Sequence, residues 1–259
     1  MNGRLIALVV AVAVTASGCC ARRLGALDGQ LQALQRAKGQ PGDAGATDAK
    51  LAAVATEARR GAAGCASLAP SFYRVGAVAA WQAGDAGAAL VGPIAGEGAA
   101  ACAAVPAATR PVRDCTLIRV AEPMAVQDAL TRRQSAIRQR QVAAPNGALP
   151  PADRGQLVRV VQGYRAPFEQ LTAIRRGLGG PETPAGLATE VDRKRLQVCC
   201  NTMTAWSLLG DVEGATMAEL AAARGPLDAC EASLRADGIA VAGPDTCKAA
   251  GGVAAPGSR

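Results

Sequence analysis

The sequence predicts an all-α protein, an irregular bundle or stack of helical hairpins supported by disulfides. Three observations carry that prediction. Apolar residues recur at three- and four-residue spacings over long stretches, best seen in Leu157, Val161, Tyr164, Phe168, Leu171, Ile174 and Leu178. Alanine and leucine dominate between breaks made of Gly, Pro and Asp. The one β-favouring stretch, Thr116 to Val120, has no evident partner strand, so it reads as an extended connector. The composition agrees: half of the 259 residues are hydrophobic but only 2% are aromatic, so the core must come from Ala, Val and Leu. Small side chains let helices approach closely yet bury little area each, which makes covalent cross-links useful.

The first element, residues 1–18, reads as an export signal. Arg4 gives a short positive region, Leu5 to Val14 an apolar one, and Thr15 to Gly18 are small or weakly polar. The apolar run is short of the roughly 20 residues that a spanning helix needs. Residues Ala16-Ser17-Gly18-Cys19 resemble the lipobox of bacterial lipoproteins, with Ala16 where that family most often has Leu. The resemblance implies cleavage before Cys19, a diacylglycerol thioether on its sulfur, and N-acylation, palmitate being a typical chain. It implies the bacterial cell envelope as location, and Cys20, in place of an Asp after the acylated residue, favours the outer membrane facing the periplasm. Ordinary cleavage after Ala16 is the competing reading and would give a soluble periplasmic protein. Two or more acyl chains hold a protein stably on a bilayer, where one chain binds marginally.

Residues 19–47 are predicted to be the lipid anchor and a flexible tether with a partly helical start. Leu24, Leu27, Leu31 and Leu34 form a short apolar seam, and Gly39 to Thr47 a break. The helical domain then spans 48–242. A helix from Asp48 ends in Arg59 and Arg60, which suit the negative end of its dipole. Pro70 opens a helix through Trp81, Gly84-Asp85 breaks it, and a second arm carries Pro93, which should kink it. Cys65 and Cys102 stand at matched distances from that turn, so a Cys65–Cys102 bond is expected. Pro123 is expected to start a helix to about Ala143, with Arg132, Arg133, Arg138 and Arg140 on its solvated side, a possible face for anionic partners. Pro145 to Pro151 is a loop, and Asp153 can cap the next helix, which Pro167 bends and Gly177, Gly179 and Gly180 end. A helix from about Pro184 to Leu209, an arm from Val212 to Arg224 and a short helix from Leu227 to Ala236 follow. Residues 243–259, rich in Gly, Ala, Pro and Ser, read as a flexible tail pinned at Cys247.

The Ala80-Trp81 and Gly84-Asp85 pattern echoes in Ala205-Trp206 and Gly210-Asp211. Helix, Gly-Asp turn and a small residue at a tight crossing resemble the hairpin of tetratricopeptide repeats, though a generic αα-hairpin explains the same residues.

Nine cysteines in an exported chain are read first as a disulfide framework. With Cys19 lipidated, the candidates are Cys65, Cys102, Cys115, Cys199, Cys200, Cys230 and Cys247, an odd set unless Cys20 joins it. Cys199 and Cys200 are neighbours on a helix, about 100° apart, so each is expected to bond a different partner such as Cys115, Cys230 or Cys247. A redox pair or a soft-metal site is the competing reading of those two thiols.

No histidine is present, which removes the commonest general base and every Ser-His or Cys-His arrangement. Gly96-Glu97-Gly98 with Ala101 fits a dinucleotide fingerprint only superficially, in an Ala-rich helical arm without a preceding strand. Glu97, Glu122, Glu169 and Glu190 are available for carboxylate hydrolysis, but no spacing brings two of them together. The net charge of +7, which loses one positive charge with residues 1–18, is spread along the chain and suits an anionic envelope better than nucleic acid. The expectation is a non-enzymatic lipoprotein presenting a helical surface to an envelope protein or cell-wall partner, without metal or cofactor. An envelope enzyme is the alternative.

Overall fold

The computed structural model describes residues 3–38, 44–144, 148–212, 214–241 and Cys247, with side chains from Gly18 onward. Among the described residues the ordered elements are helical and no strand occurs, in agreement with the sequence. The helices are α1 (Gly3–Lys38), α2 (Ala44–Gly64), α3 (Ala69–Gln82), α4 (Ala88–Ala104), α5 (Val112–Ala143), α6 (Pro151–Gly163), α7 (Arg165–Arg176), α8 (Leu187–Gly210) and α9 (Met217–Ala236). The chain divides into two compact units, Met1–Ala125 and Val126–Arg259, and the division falls inside α5.

In the first unit, α1 packs on α2, α2 on α3 and α3 on α4. The core comes from Leu51, Val54, Phe72, Val75, Val91 and Ile94, with alanines 55, 58, 77, 79 and 80 between them. Packing is close because side chains are missing. The Phe72 ring occupies the place where a Cβ on Gly61 would stand, and a Cβ on Gly98 would lie 2.8 Å from Tyr73 and 2.9 Å from Ile118. The turn between α3 and α4 uses Gly84 at φ 58°, a left-handed conformation that glycine adopts without penalty. The segment Gly84–Ala104 is long and apolar enough to cross a membrane by length and composition, and a third of it is buried inside this unit.

Three elements differ from the sequence-based expectation. Residues 20–38 were expected to be a tether; they belong to α1, and Leu27 and Leu31 are buried in the core of the first unit. The leucine seam was legible, but whether a neighbour covers it depends on α2. Residues 39–43 of the expected tether lie outside the described residues. The stretch around Cys115 was expected to be extended; it is the first turns of α5, because Ile118, Val120 and Ala121 are all buried there and tertiary packing overrides their β preference. Pro123 accordingly stands inside α5 and does not start it. Pro226 likewise stands inside α9, so the two expected arms from Val212 and from Leu227 are one helix from Met217.

In the second unit, α6, α7, α8 and α9 pack on one another around Leu157, Val161, Leu171, Val198, Leu209 and Leu227. The expected bend near Pro167 is a break at Tyr164, between α6 and α7. The start of α9 is a complete capping box: the Thr216 hydroxyl accepts from the Glu219 N–H while the Glu219 carboxylate accepts from the Thr216 N–H. Those hydrogen bonds hold the Glu219 carboxyl below the usual range. The expected tail, 243–259, lies outside the described residues except for Cys247.

Candidate functional site

The cysteines define the best-formed chemistry in the chain. Four disulfides are present: Cys20–Cys65, Cys102–Cys115, Cys199–Cys230 and Cys200–Cys247. The expected Cys65–Cys102 bond is not among them. The reason lies in the neighbours of the α3–α4 hairpin. Helix α1 lies along α2 and brings Cys20 to Cys65, Cα–Cα 5.8 Å. The short link from α4 into α5 brings Cys115 back to Cys102 across only 13 residues, Cα–Cα 5.8 Å. Both cysteines of the hairpin therefore meet closer partners before they can meet each other.

Cys199 and Cys200 each bond a different partner, as neighbours on a helix must when both are buried. Both sulfurs are fully enclosed, so neither bridge is open to exchange with a substrate thiol. Among the described residues no cluster of three or more metal-ligating side chains occurs.

With eight cysteines paired, Cys19 is left free and exposed. It is covalently next to Cys20, whose side chain packs at the edge of the first unit's core. Cys19 is thus held one peptide bond from a disulfide that is stapled to the fold.

The four arginines proposed as an anionic-partner face are separated. At about 100° per residue Arg133 and Arg140 share one side of α5, whereas Arg138 lies well round the helix from both. Arg140 is occupied in a two-pronged bond to Asp153, Nε to Oδ2 3.0 Å and Nη2 to Oδ1 2.9 Å. Arg133 lines a shallow hollow with Leu130, Ile137, Gln156, Arg159 and Val160. The carboxylates are also scattered. Glu97 accepts from Arg59, which together with a hydrogen bond from Tyr73 holds its carboxyl low. Glu169 pairs with Arg165 one turn away on an exposed face.

A feature that the sequence reading missed is the wholly buried Arg195 of α8. Its guanidinium donates to Thr172 Oγ1 at 3.1 Å, Ser233 Oγ at 3.0 Å and Asp192 Oδ1 at 2.8 Å, and pairs with Asp237 Oδ2 at 2.7 Å. It also lies 5.6 Å from the centre of the Phe168 ring. Buried charge is tolerated only with such complete pairing. The signal in the sequence is register: 195 falls in the apolar row Leu187, Val191, Val198, although Arg193-Lys194-Arg195 looks like a solvated basic run. Beside this network, Tyr164, Phe168, Thr172, Thr202, Pro226 and Ser233 are among the residues that line a cavity of about 250 Å³.

Comparison with protein-family models, curated proteins and solved structures found no match to this chain.

Proposed function

We propose that this chain is a bacterial envelope lipoprotein, acylated at Cys19, held on the periplasmic face of the outer membrane. In this reading it presents a helical surface to an envelope protein or cell-wall partner and carries no catalytic centre. One observation supports it above the rest: of nine cysteines, the residue at the lipobox position is the one left exposed and unpaired among the described residues, while its immediate neighbour is consumed in a bridge. A thiol kept out of the disulfide framework is available for thioether formation. Four bridges also fit an oxidising compartment, where such bonds persist.

The test is metabolic labelling with a palmitate analogue followed by mass spectrometry of the mature N-terminus. Wild-type protein is expected to carry label on Cys19 and to partition into the detergent phase. Cys19→Ser is expected to lose both, while Cys20→Ser keeps the label. A mature chain beginning at Ser17, with Cys19 unmodified, would overturn the proposal.

A further inference from the structure

The antiparallel packing of the first unit gathers several helix ends at the place where Cys19 emerges. The end of α2 meets the start of α3 through Gly61 and Phe72. The end of α4 meets the start of α5 through Cys102–Cys115. Ser71 and Arg74 of α3 both reach Asp114 of α5, and Arg74 also holds Asp28 of α1 at 2.8 Å. Cys20–Cys65 fixes the Cys19 end of the exported chain at the same place.

That end is basic. Arg22, Arg23, Arg59, Arg60, Arg110 and Arg113 all lie within about two turns of one of the four bridged cysteines there. The carboxylates at this end are engaged: Glu57 by Arg23 and Arg60, Glu97 by Arg59, and Asp28 and Asp114 by Arg74. Arg22, Arg60, Arg110 and Arg113 are exposed to solvent, Arg60 while paired with Glu57, and Arg110 is braced by donating to the Val105 carbonyl. The opposite end of the unit is more balanced: Lys38 pairs with Asp48 at 2.8 Å and donates to the Gln82 carbonyl at the end of α3, with Arg36 in the last turn of α1 and Asp85 in the turn between α3 and α4.

We infer that this basic end docks directly on an anionic phospholipid surface, with Arg22, Arg60, Arg110 and Arg113 against the headgroups. The inference rests on the reading that Cys19 is acylated. No spacer separates the anchor from the fold, because Cys20 is bonded to Cys65, so Cys65 lies within about 10 Å of the acylated residue. The acyl chains hold the unit at the surface and raise its effective concentration there, so weak electrostatic attraction suffices to orient it. Arginines near a negatively charged leaflet are attracted within about one Debye length, on the order of 10 Å at moderate salt. Neutral lipid offers no such attraction.

Arginine modification by phenylglyoxal tests this on the intact acylated protein. The protein is reconstituted either in phosphatidylcholine vesicles or in vesicles with a third phosphatidylglycerol, and modified peptides are read by mass spectrometry. Arg22, Arg60, Arg110 and Arg113 are expected to react roughly fivefold more slowly on the anionic vesicles, a protection that high salt abolishes. Arg36, at the opposite end, is expected to react equally on both. An acylated N-terminus with equal reactivity at all five arginines would overturn the docking and leave the lipoprotein reading standing. An N-terminus without acyl groups in the same peptide map would overturn the reading beneath it, and the docking with it.

Discussion

The two units solve the same problem, a core with almost no aromatic residues, in opposite ways. The first unit removes side chains: Gly61, Gly76, Gly87 and Gly98 let helices close on Phe72, Ile94, Ala80 and Tyr73. Its two disulfides lie together at one end. The second unit keeps larger and more polar groups and satisfies them. The Tyr164 hydroxyl donates to Gln134 at 3.0 Å and lies 3.0 Å from Thr131, and Asn201 donates to Thr131 at 3.2 Å. The Arg195 network adds a second buried polar centre, and both disulfides spring from adjacent residues of α8. Close backbone approach is intolerant of added volume, whereas a polar network is intolerant of lost partners.

The chain carries a probe for each unit, Trp81 in the first and Trp206 in the second. Trp206→Phe and Trp81→Phe backgrounds therefore report the units separately in denaturant titrations. The largest expected effect is removal of Cys199–Cys230 by paired Cys→Ala substitution. Its loop spans 31 residues, for which loop closure alone accounts for about 4 kcal/mol. The loss is expected at the Trp206 probe first; an equal shift at Trp81 would show that the units unfold as one and would break the comparison. Arg195→Leu is expected to cost about 3 kcal/mol at the same probe, the low end for a buried ion pair because Asp237 stays half exposed.

Gly98→Ala comes next and belongs to the first unit, where the new methyl collides with Tyr73 and Ile118. A loss of about 2 kcal/mol at the Trp81 probe is expected. The matching substitution in the second unit, Gly155→Ala, meets open space within α6 and is expected to be neutral or to gain up to about 1 kcal/mol. If both alanines behaved alike, close approach would not be what distinguishes the units.

Tyr164→Phe sharpens the polar side of the contrast, with an expected loss of about 1 kcal/mol at neutral pH. Burial pushes the Tyr164 phenol above its ordinary value, so folding favours the neutral form. The unfolded chain gives up that proton first. The phenol's contribution is therefore whole below about pH 10 and falls away as the pH rises further. The alkaline loss measured at the Trp206 probe should shrink in Tyr164→Phe.

Thr216→Ala is the smallest of the losses, expected near 1 kcal/mol or below through the capping box of α9. Since hydrogen bonds hold Glu219 low when folded, the stabilisation from its carboxylate is present above the ordinary glutamate range. It is lost as the pH falls through the depressed folded value.

Much of this was legible in the chain, and the misses are specific. Helical spacing around Leu157 to Leu178 and the Gly-Asp break at 84–85 depend on neighbours a few residues apart, so sequence shows them directly. The split bonding of Cys199 and Cys200 follows in the same way from the turn of one helix. The Cys65–Cys102 expectation failed because it treated the α3–α4 hairpin as isolated, when α1 and α5 supply nearer sulfurs. The arginines of α5 show a simpler limit: Arg133 and Arg138 are close in sequence but lie on different sides of the helix.

Local periodicity and breaker residues determined an all-α chain, because each acts over a few residues, and the nine cysteines pointed to bridges. Tertiary structure alone decided which sulfurs meet, which arginine is buried, and that the leucine seam after Cys20 lies against α2 in the core. Those outcomes depend on which helices share one place in space, and residues distant along the chain carry no mark of that in their order.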